Sequence, residues 1–353
     1  MDIRPLPEPL VRYAEAEIAR LQVPGAAAAV LHDGVIYAAG VGVTNVEHPL
    51  PVTPETLFQV GSTSKTFTAT ALMALVEAGR VDLDATVRTY LPGFALQSEE
   101  DAARLTVRDL VTHHGGYVGD YFKDTGRGDD ALGMIVAKMA NSPQLVPAGT
   151  TFSYSNAGFY VLGHIVATVH GRPFEQVVRE TVFEPLGMDR SFYFPEEALT
   201  HRVAAGHIVT EDGPKVARPW HTPRSIAPGG GVISNVVDQL RYAALHLGQA
   251  RESGVLSRAT VAAKRARPSP TAARSTSWAS ASPNRRRSPA SPHPPSTKAA
   301  TSPSSPGSRC APAMVRSWLP TPRRSAGSRS AATGRSRCRQ PRSSSRARMQ
   351  RPC

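Results

Sequence analysis

The chain changes character once, near residue 253, and that change limits what can fold. Residues 1–252 carry all 28 acidic side chains and 20 of the 41 basic ones, a net −8; residues 253–353 carry the other 21 basic side chains and no acid, a net +21. Beyond about Lys264, Arg, Ser, Pro and Ala dominate. After residue 253 there is no Phe, Tyr or Ile, and the leucines there are Leu256 and Leu319. A segment of this kind cannot bury enough apolar surface to offset the entropy of ordering it. The folded part is therefore expected within residues 1–262, with residues 263–353 as a disordered tail.

The whole-chain charge of +13 joins these two unlike segments. Such asymmetry suggests a tail that meets nucleic acid or an acidic surface. The tail has no interleaved aromatic residues for base stacking and no recognisable binding fold, so its phosphate contacts would be nonspecific. Cys310, Cys338 and Cys353 all lie in the tail, and the N-terminal part needs neither a disulfide nor a thiol. The opening residues, Met1 to Pro7, contain no apolar core of a signal peptide. No stretch reaches the roughly 20 apolar residues that span a bilayer. The expectation is a soluble cytoplasmic protein with no membrane partner.

Glu8 to Leu21 places Leu10, Val11, Ala14, Ile18 and Leu21 at helical spacing. Gly25 to His32 is small and apolar and reads as a strand. Asp33-Gly34 supplies the two positive-φ residues of a type I′ turn, and Val35 to Val43 completes the hairpin. Helices are expected over Ser62 to Ala78 (closed by Gly79), Leu105 to Thr112 (entered through Thr106), Asn156 to His170 (closed by Gly171) and Pro173 to Val182. A further helix is capped by Ser234 and runs through Leu247, and Pro228-Gly229-Gly230-Gly231 before it reads as a flexible turn. There is no internal repeat. The hairpin has no evident strand partner in the mostly helical block that follows, and a two-stranded hairpin alone is marginal in water.

Two short runs carry chemistry. Ser62-Thr63-Ser64-Lys65 puts a hydroxyl and an amine three residues apart, on one face of a helix. If the helix begins at Ser62, the hydroxyl sits at the positive end of its dipole. A serine alcohol is a weak nucleophile until a base stands beside it, and a lysine serves as that base only when burial or a neighbouring cation lowers its pKa. The Ser62 N–H is also a candidate oxyanion donor. Tyr154-Ser155-Asn156 adds a phenol able to relay a proton and an amide able to bind both a substrate carbonyl and Lys65. Each residue also has a purely structural alternative: Tyr154 as a core tyrosine with a satisfied hydroxyl, and Asn156 as a helix N-cap. Gly61-Ser62-Thr63-Ser64-Lys65-Thr66 is not a phosphate loop, because Ser64 stands where the glycine before the lysine is required. His113, His114, His201, His207 and His221 show no metal-ligand spacing and read as structural or surface residues.

Taken in order, several stretches of residues 1 to about 260 resemble the serine β-lactamase and penicillin-binding-protein superfamily, in its class C-like branch. They are Thr56 to Lys65, Leu105 to Gly116, Pro147 to Asn156, Pro185-Leu186-Gly187-Met188 and Pro228 to Gly231. One departure is Gly115, where the family usually has serine. The resemblance implies an α/β (α+β) fold, β-lactamase-like, with an antiparallel sheet flanked by helices and a mostly helical subdomain. It implies Ser62 as the acylated nucleophile, Lys65 and Tyr154 as the proton-transfer pair, and Asn156 as a ligand of substrate and lysine. No cofactor and no metal are implied, and the substrate would be a small-molecule ester, amide or β-lactam.

The family's third motif, His/Lys-x-Gly, lies on a strand of the central sheet that supplies the second oxyanion N–H. It does not occur after Lys264, so the sheet is expected to be incomplete and the activity impaired. One reading explains composition and absence together: the tail is translated out of frame. With suitable third bases, Ser296-Thr297-Lys298-Ala299-Ala300 read one register over gives His-Glu-Gly-Gly. Likewise Ser277-Trp278-Ala279 gives Leu-Gly. The competing reading is a non-catalytic remnant whose basic tail binds nucleic acid or acidic surfaces nonspecifically.

Overall fold

The computed structural model describes residues 1–220, 222–250 and 253–265. The disorder expected of the tail falls almost wholly outside the described residues. The chain opens with β1 (Asp2–Pro5), α1 (Glu8–Arg20), β2 (Gly25–His32) and β3 (Val35–Gly42). Asp33 and Gly34 both take positive φ, +48° and +78°, as the turn requires. The hairpin does have a strand partner, and it comes from the N-terminus: β1 pairs parallel with β3, from Asp2 opposite Val35 to Pro5 opposite Ala38. The order is β1-β3-β2, so the sheet is mixed rather than purely antiparallel. Its four-residue edge strand carries a proline and no alternating apolar pattern, which is why sequence periodicity passes over it. Among the described residues the outer edge of β2 has no partner.

Short strands and a set of helices follow, among them β4 (Phe58–Gln59), α2 (Ser64–Glu77), α3 (Val107–Val111), α4 (Ala131–Lys138), α5 (Asn156–His170) and α6 (Phe174–Val178). Then come α7 (Ala227–Gly230), β5 (Ile233–Ser234), α8 (Val236–His246) and α9 (Arg258–Arg265). The main core forms where α2 crosses α5: Phe67, Leu72 and Leu75 meet Tyr160, Leu162 and Ile165, with Phe174 and Val177 of α6 behind them. A smaller cluster joins Ile36 and Ala38 of β3 to Val237 of α8, so the sheet is covered by that helix.

Several boundaries differ from the sequence reading for local reasons. The segment before α2 is a 3₁₀ turn, Gly61–Thr63, rather than the first turn of an α-helix. The helix expected to reach Val182 stops at Val178 and becomes a π turn, Arg179–Phe183, because Pro185 has no N–H for the carbonyl four residues back. Ser234 does not cap α8. It pairs with Phe58 across β4 and β5 and bonds Ser191 Oγ at 2.8 Å, so Asn235 accepts the Asp238 N–H instead. The glycines after Pro228 are a packed helical turn rather than a flexible one. A Cβ at Gly229 would stand 2.7 Å from the Tyr160 ring, and one at Gly163 would stand 2.2 Å from Pro228 Cγ. Helix α9 crosses the expected boundary at 262/263.

Candidate active site

Gly61, with φ +53°, turns the chain into the 3₁₀ segment that presents Ser62. Ser62 is exposed, whereas Lys65, one turn later, is only 5% exposed. The contrast arises from α2 itself, which lies buried along most of its length and carries Lys65 into the interior at its first turn. Lys65 Nζ stands 3.2 Å from Ser62 Oγ. It also donates to Asn156 Oδ1 and to the Gly229 carbonyl, each at 2.6 Å. Burial lowers its pKa from 10.5 to about 8, against the opposing pull of the Asp120 carboxylate.

Two of the three Nζ partners are pure acceptors and hold two N–H bonds. On a neutral amine, the remaining position is a lone pair directed at the Ser62 hydroxyl. In that neutral state the lone pair can accept a proton from the hydroxyl, whereas the charged amine donates to it. The Ser62 N–H belongs to the first turn of a helical segment, where backbone donors need no intrahelical partner, and a substrate carbonyl can use it.

Ser155, not Asn156, caps α5: its hydroxyl accepts the Gly158 N–H at 2.9 Å. The structural alternative for Asn156 therefore falls to its neighbour, and the Asn156 side chain is free for the site. Its Nδ2 donates to Asp120 Oδ1 at 2.8 Å, which orients Oδ1 toward Lys65. Asp120 is held there because Gly119 docks against residues 154 and 155. The Gly119 carbonyl accepts the N–H groups of Asn156 and Ala157 at 3.0 Å each, and a Cβ at Gly119 would lie 2.5 Å from the Tyr154 carbonyl.

Tyr154 is 46% exposed, so it is not a core tyrosine. Lys65 Nζ lies 5.0 Å from the centroid of its ring, a cation–π distance. Its hydroxyl makes no hydrogen bond to Ser62 or Lys65. Catalytic hydrogen bonds are often long before substrate binds and shorten in the loaded complex. The structure thus brings Ser62, Lys65 and Asn156 into direct contact and places Tyr154 beside them by its ring face.

Sequence reasoning missed Asp120, His113 and the Gly229 carbonyl. A backbone acceptor leaves no side-chain signal, and Asp120 stands at no motif spacing. His113 was read only as a structural or surface histidine, and among the described residues no group of three or more His, Cys, Asp and Glu is arranged to hold a metal ion. Also among the described residues, no helix is long and apolar enough to cross a membrane.

The chain has relatives. The Beta-lactamase family profile matches residues 10–308. The chain belongs to that family. It is 40% identical to Penicillin-binding protein 4 of Amycolatopsis lactamdurans over 227 residues, which are 64% of this chain and 60% of that protein. Among solved structures, a class C beta lactamase from Rhodobacter sphaeroides is 31% identical with a TM-score of 0.60, covering 72% of this chain and 70% of that one. The octameric penicillin-binding protein homologue from Pyrococcus abyssi is 30% identical with a TM-score of 0.60, covering 72% and 58%. The fold of the Beta-lactamase family member is thus the one the motifs imply. The chain spans less than two thirds of the length of the curated relatives it matches first.

Proposed function

We propose that residues 1–262 form a serine hydrolase domain that works through an acyl-enzyme on Ser62. The observation that carries this reading is the coordination of Lys65 Nζ: two acceptors at 2.6 Å and the Ser62 hydroxyl at 3.2 Å. Neutral Lys65 takes the Ser62 proton as Oγ attacks the substrate carbonyl. The oxyanion is held by the Ser62 N–H, and the carbonyl is steered by Asn156. Collapse expels the leaving group, which takes a proton relayed through Tyr154. Water then attacks the ester carbonyl, Ser62 recovers its proton, and the acid is released. The substrate class is a small-molecule ester, amide or β-lactam. The β-lactam option is supported by the names of two relatives, a class C beta lactamase and a penicillin-binding protein.

The same reading makes this chain a slow enzyme. No His/Lys-x-Gly run follows Lys264. Loss of one oxyanion donor costs about 2.7–4 kcal/mol of transition-state stabilisation. Among the described residues the outer edge of β2, a run without proline or Asp, Glu, Lys or Arg, has no strand partner. An out-of-frame tail over residues 263–353 accounts for both. The gene sequence tests it: a shifted frame that is open and encodes His-x-Gly supports it, and an early stop ends it. The second reading, a remnant with a nucleic-acid-binding tail, is favoured by the net +21 of residues 253–353. Hydrolysis of a p-nitrophenyl ester and of nitrocefin separates the two. Slow turnover abolished by Ser62→Ala supports the hydrolase, turnover indifferent to Ser62→Ala overturns it, and turnover near about 10 s⁻¹ overturns the impairment.

A further inference from the structure

One side chain outside the motif residues gathers the site from behind. His113 follows the end of α3 with a left-handed backbone, φ +62°. Few non-glycine residues adopt that region, and histidine and asparagine are among those enriched in it. The conformation turns both its carbonyl and its ring toward residues 153–155. The carbonyl accepts the Ser153 N–H at 2.8 Å. Nδ1 accepts the Ser155 N–H at 3.0 Å. The ring stacks on the Tyr154 ring between them, with centroids 4.7 Å apart and planes at 27°. Tyr154 is therefore held on both sides through the backbone and on one face through its ring.

We propose that His113 is a positioning residue for the hydrolase reaction: a neutral imidazole, unprotonated at Nδ1, that clamps residues 153–155 and so aims the Tyr154 hydroxyl at the reacting atoms. The inference rests on the reading of Tyr154 as the proton relay. A ring nitrogen accepts a hydrogen bond only when it carries no proton, which places the single N–H on Nε2. An imidazolium would set one N–H against another and open the clamp. The groups around the ring oppose that charge. Lys65 of α2 and the adjacent His114 face it, and the rings of Phe152, Tyr154 and Phe159 enclose it. Burial, then Lys65, push its pKa down to about 4. The clamp thus stays neutral through the range in which Lys65 loses its proton.

A double-mutant cycle on the full chain separates aiming from mere support. His113→Asn retains an acceptor oxygen and tolerates the left-handed backbone, but it removes the stacked ring. The limiting rate of Ser62 acylation by a p-nitrophenyl ester is expected to fall about tenfold, with the half-saturating ester concentration unchanged. In a Tyr154→Phe background, where no hydroxyl remains to be aimed, the same change is expected to cost less than about twofold. An equal loss in both backgrounds, or no loss in the first, overturns the proposal. ¹⁵N NMR of the wild-type histidine rings gives a test independent of activity and of the variant's folding. An Nε2–H tautomer for His113 between about pH 6 and 8 is expected, and an Nδ1–H tautomer overturns the clamp. Failure of Ser62 to acylate at all in the wild-type chain would instead overturn the hydrolase reading and the aiming role with it, whatever the tautomer.

Discussion

At the scale of single residues, the chemistry turns on the state of one amine. Lys65 is protonated below its pKa of about 8 and cannot then accept a proton. Acylation of Ser62 should therefore rise about tenfold per pH unit up to that point and level off above it, measured as the burst rate with an activated ester. A profile flat from about pH 6 to 9 contradicts Lys65 as the base. Asn156→Asp provides a signed check. A carboxylate 2.6 Å from Nζ would stabilise the ammonium, so the rise should move to higher pH and the rate at neutral pH should drop. An unmoved profile would mean that the amide oxygen does not contact the working lysine. The Ser-x-x-Lys and Tyr-x-Asn runs made four candidate site residues legible. Asp120 and the Gly229 carbonyl were not, because they act by orienting a partner across about 36 and 164 residues of chain, and a lone sequence carries no record of such contacts.

At the scale of elements, the site depends on how closely α7 approaches α2 and α5. Pro228 and Gly229 turn their carbonyls to Thr68 and Lys65, and the approach leaves no room for a Cβ at Gly229. Gly229→Ala should lower stability by about 1–3 kcal/mol through overpacking against Tyr160, and it should slow acylation by moving an acceptor of Lys65. Gly230→Ala is the control, since a Cβ there meets nothing within 4 Å and its melting temperature should be nearly unchanged. Equal melting temperatures for the two variants, followed by calorimetry, would refute the packing argument. The glycine run was visible in the sequence, but its meaning was not. A Gly-rich segment signals flexibility and close approach alike, and only the neighbouring Tyr160 and Pro228 distinguish them. Elements with strong periodicity or caps, such as α1, the β2–β3 hairpin and α5, followed directly from the residues. The short edge strand β1 and the π turn before Pro185 did not, because pairing and a lost donor define them rather than pattern.

At the scale of the whole molecule, the question is where the folded part ends. Helix α9 packs Val261 into the main core beside Val255, and Lys264 Nζ bonds the Thr66 carbonyl and the Thr70 hydroxyl of α2. A chain ending after Arg265 should therefore melt at the same temperature as the full chain. One ending after Glu252 should lose about 3 kcal/mol or more from the two buried valines alone. Equal stability of the two truncations would show that α9 is not part of the fold. The composition change near Lys264 suggested a limit close to residue 262. What it could not supply was the apolar face of α9, which is short and basic and whose single valine, Val261, counts only once it is seated. The central claim is that the N-terminal part holds a working acylation centre. Intact-mass spectrometry after incubation with a p-nitrophenyl ester, followed by peptide mapping, tests it most directly. The account predicts a single acyl adduct on Ser62, faster above about pH 8 and absent in Ser62→Ala. No adduct, or one that persists in Ser62→Ala, would contradict it.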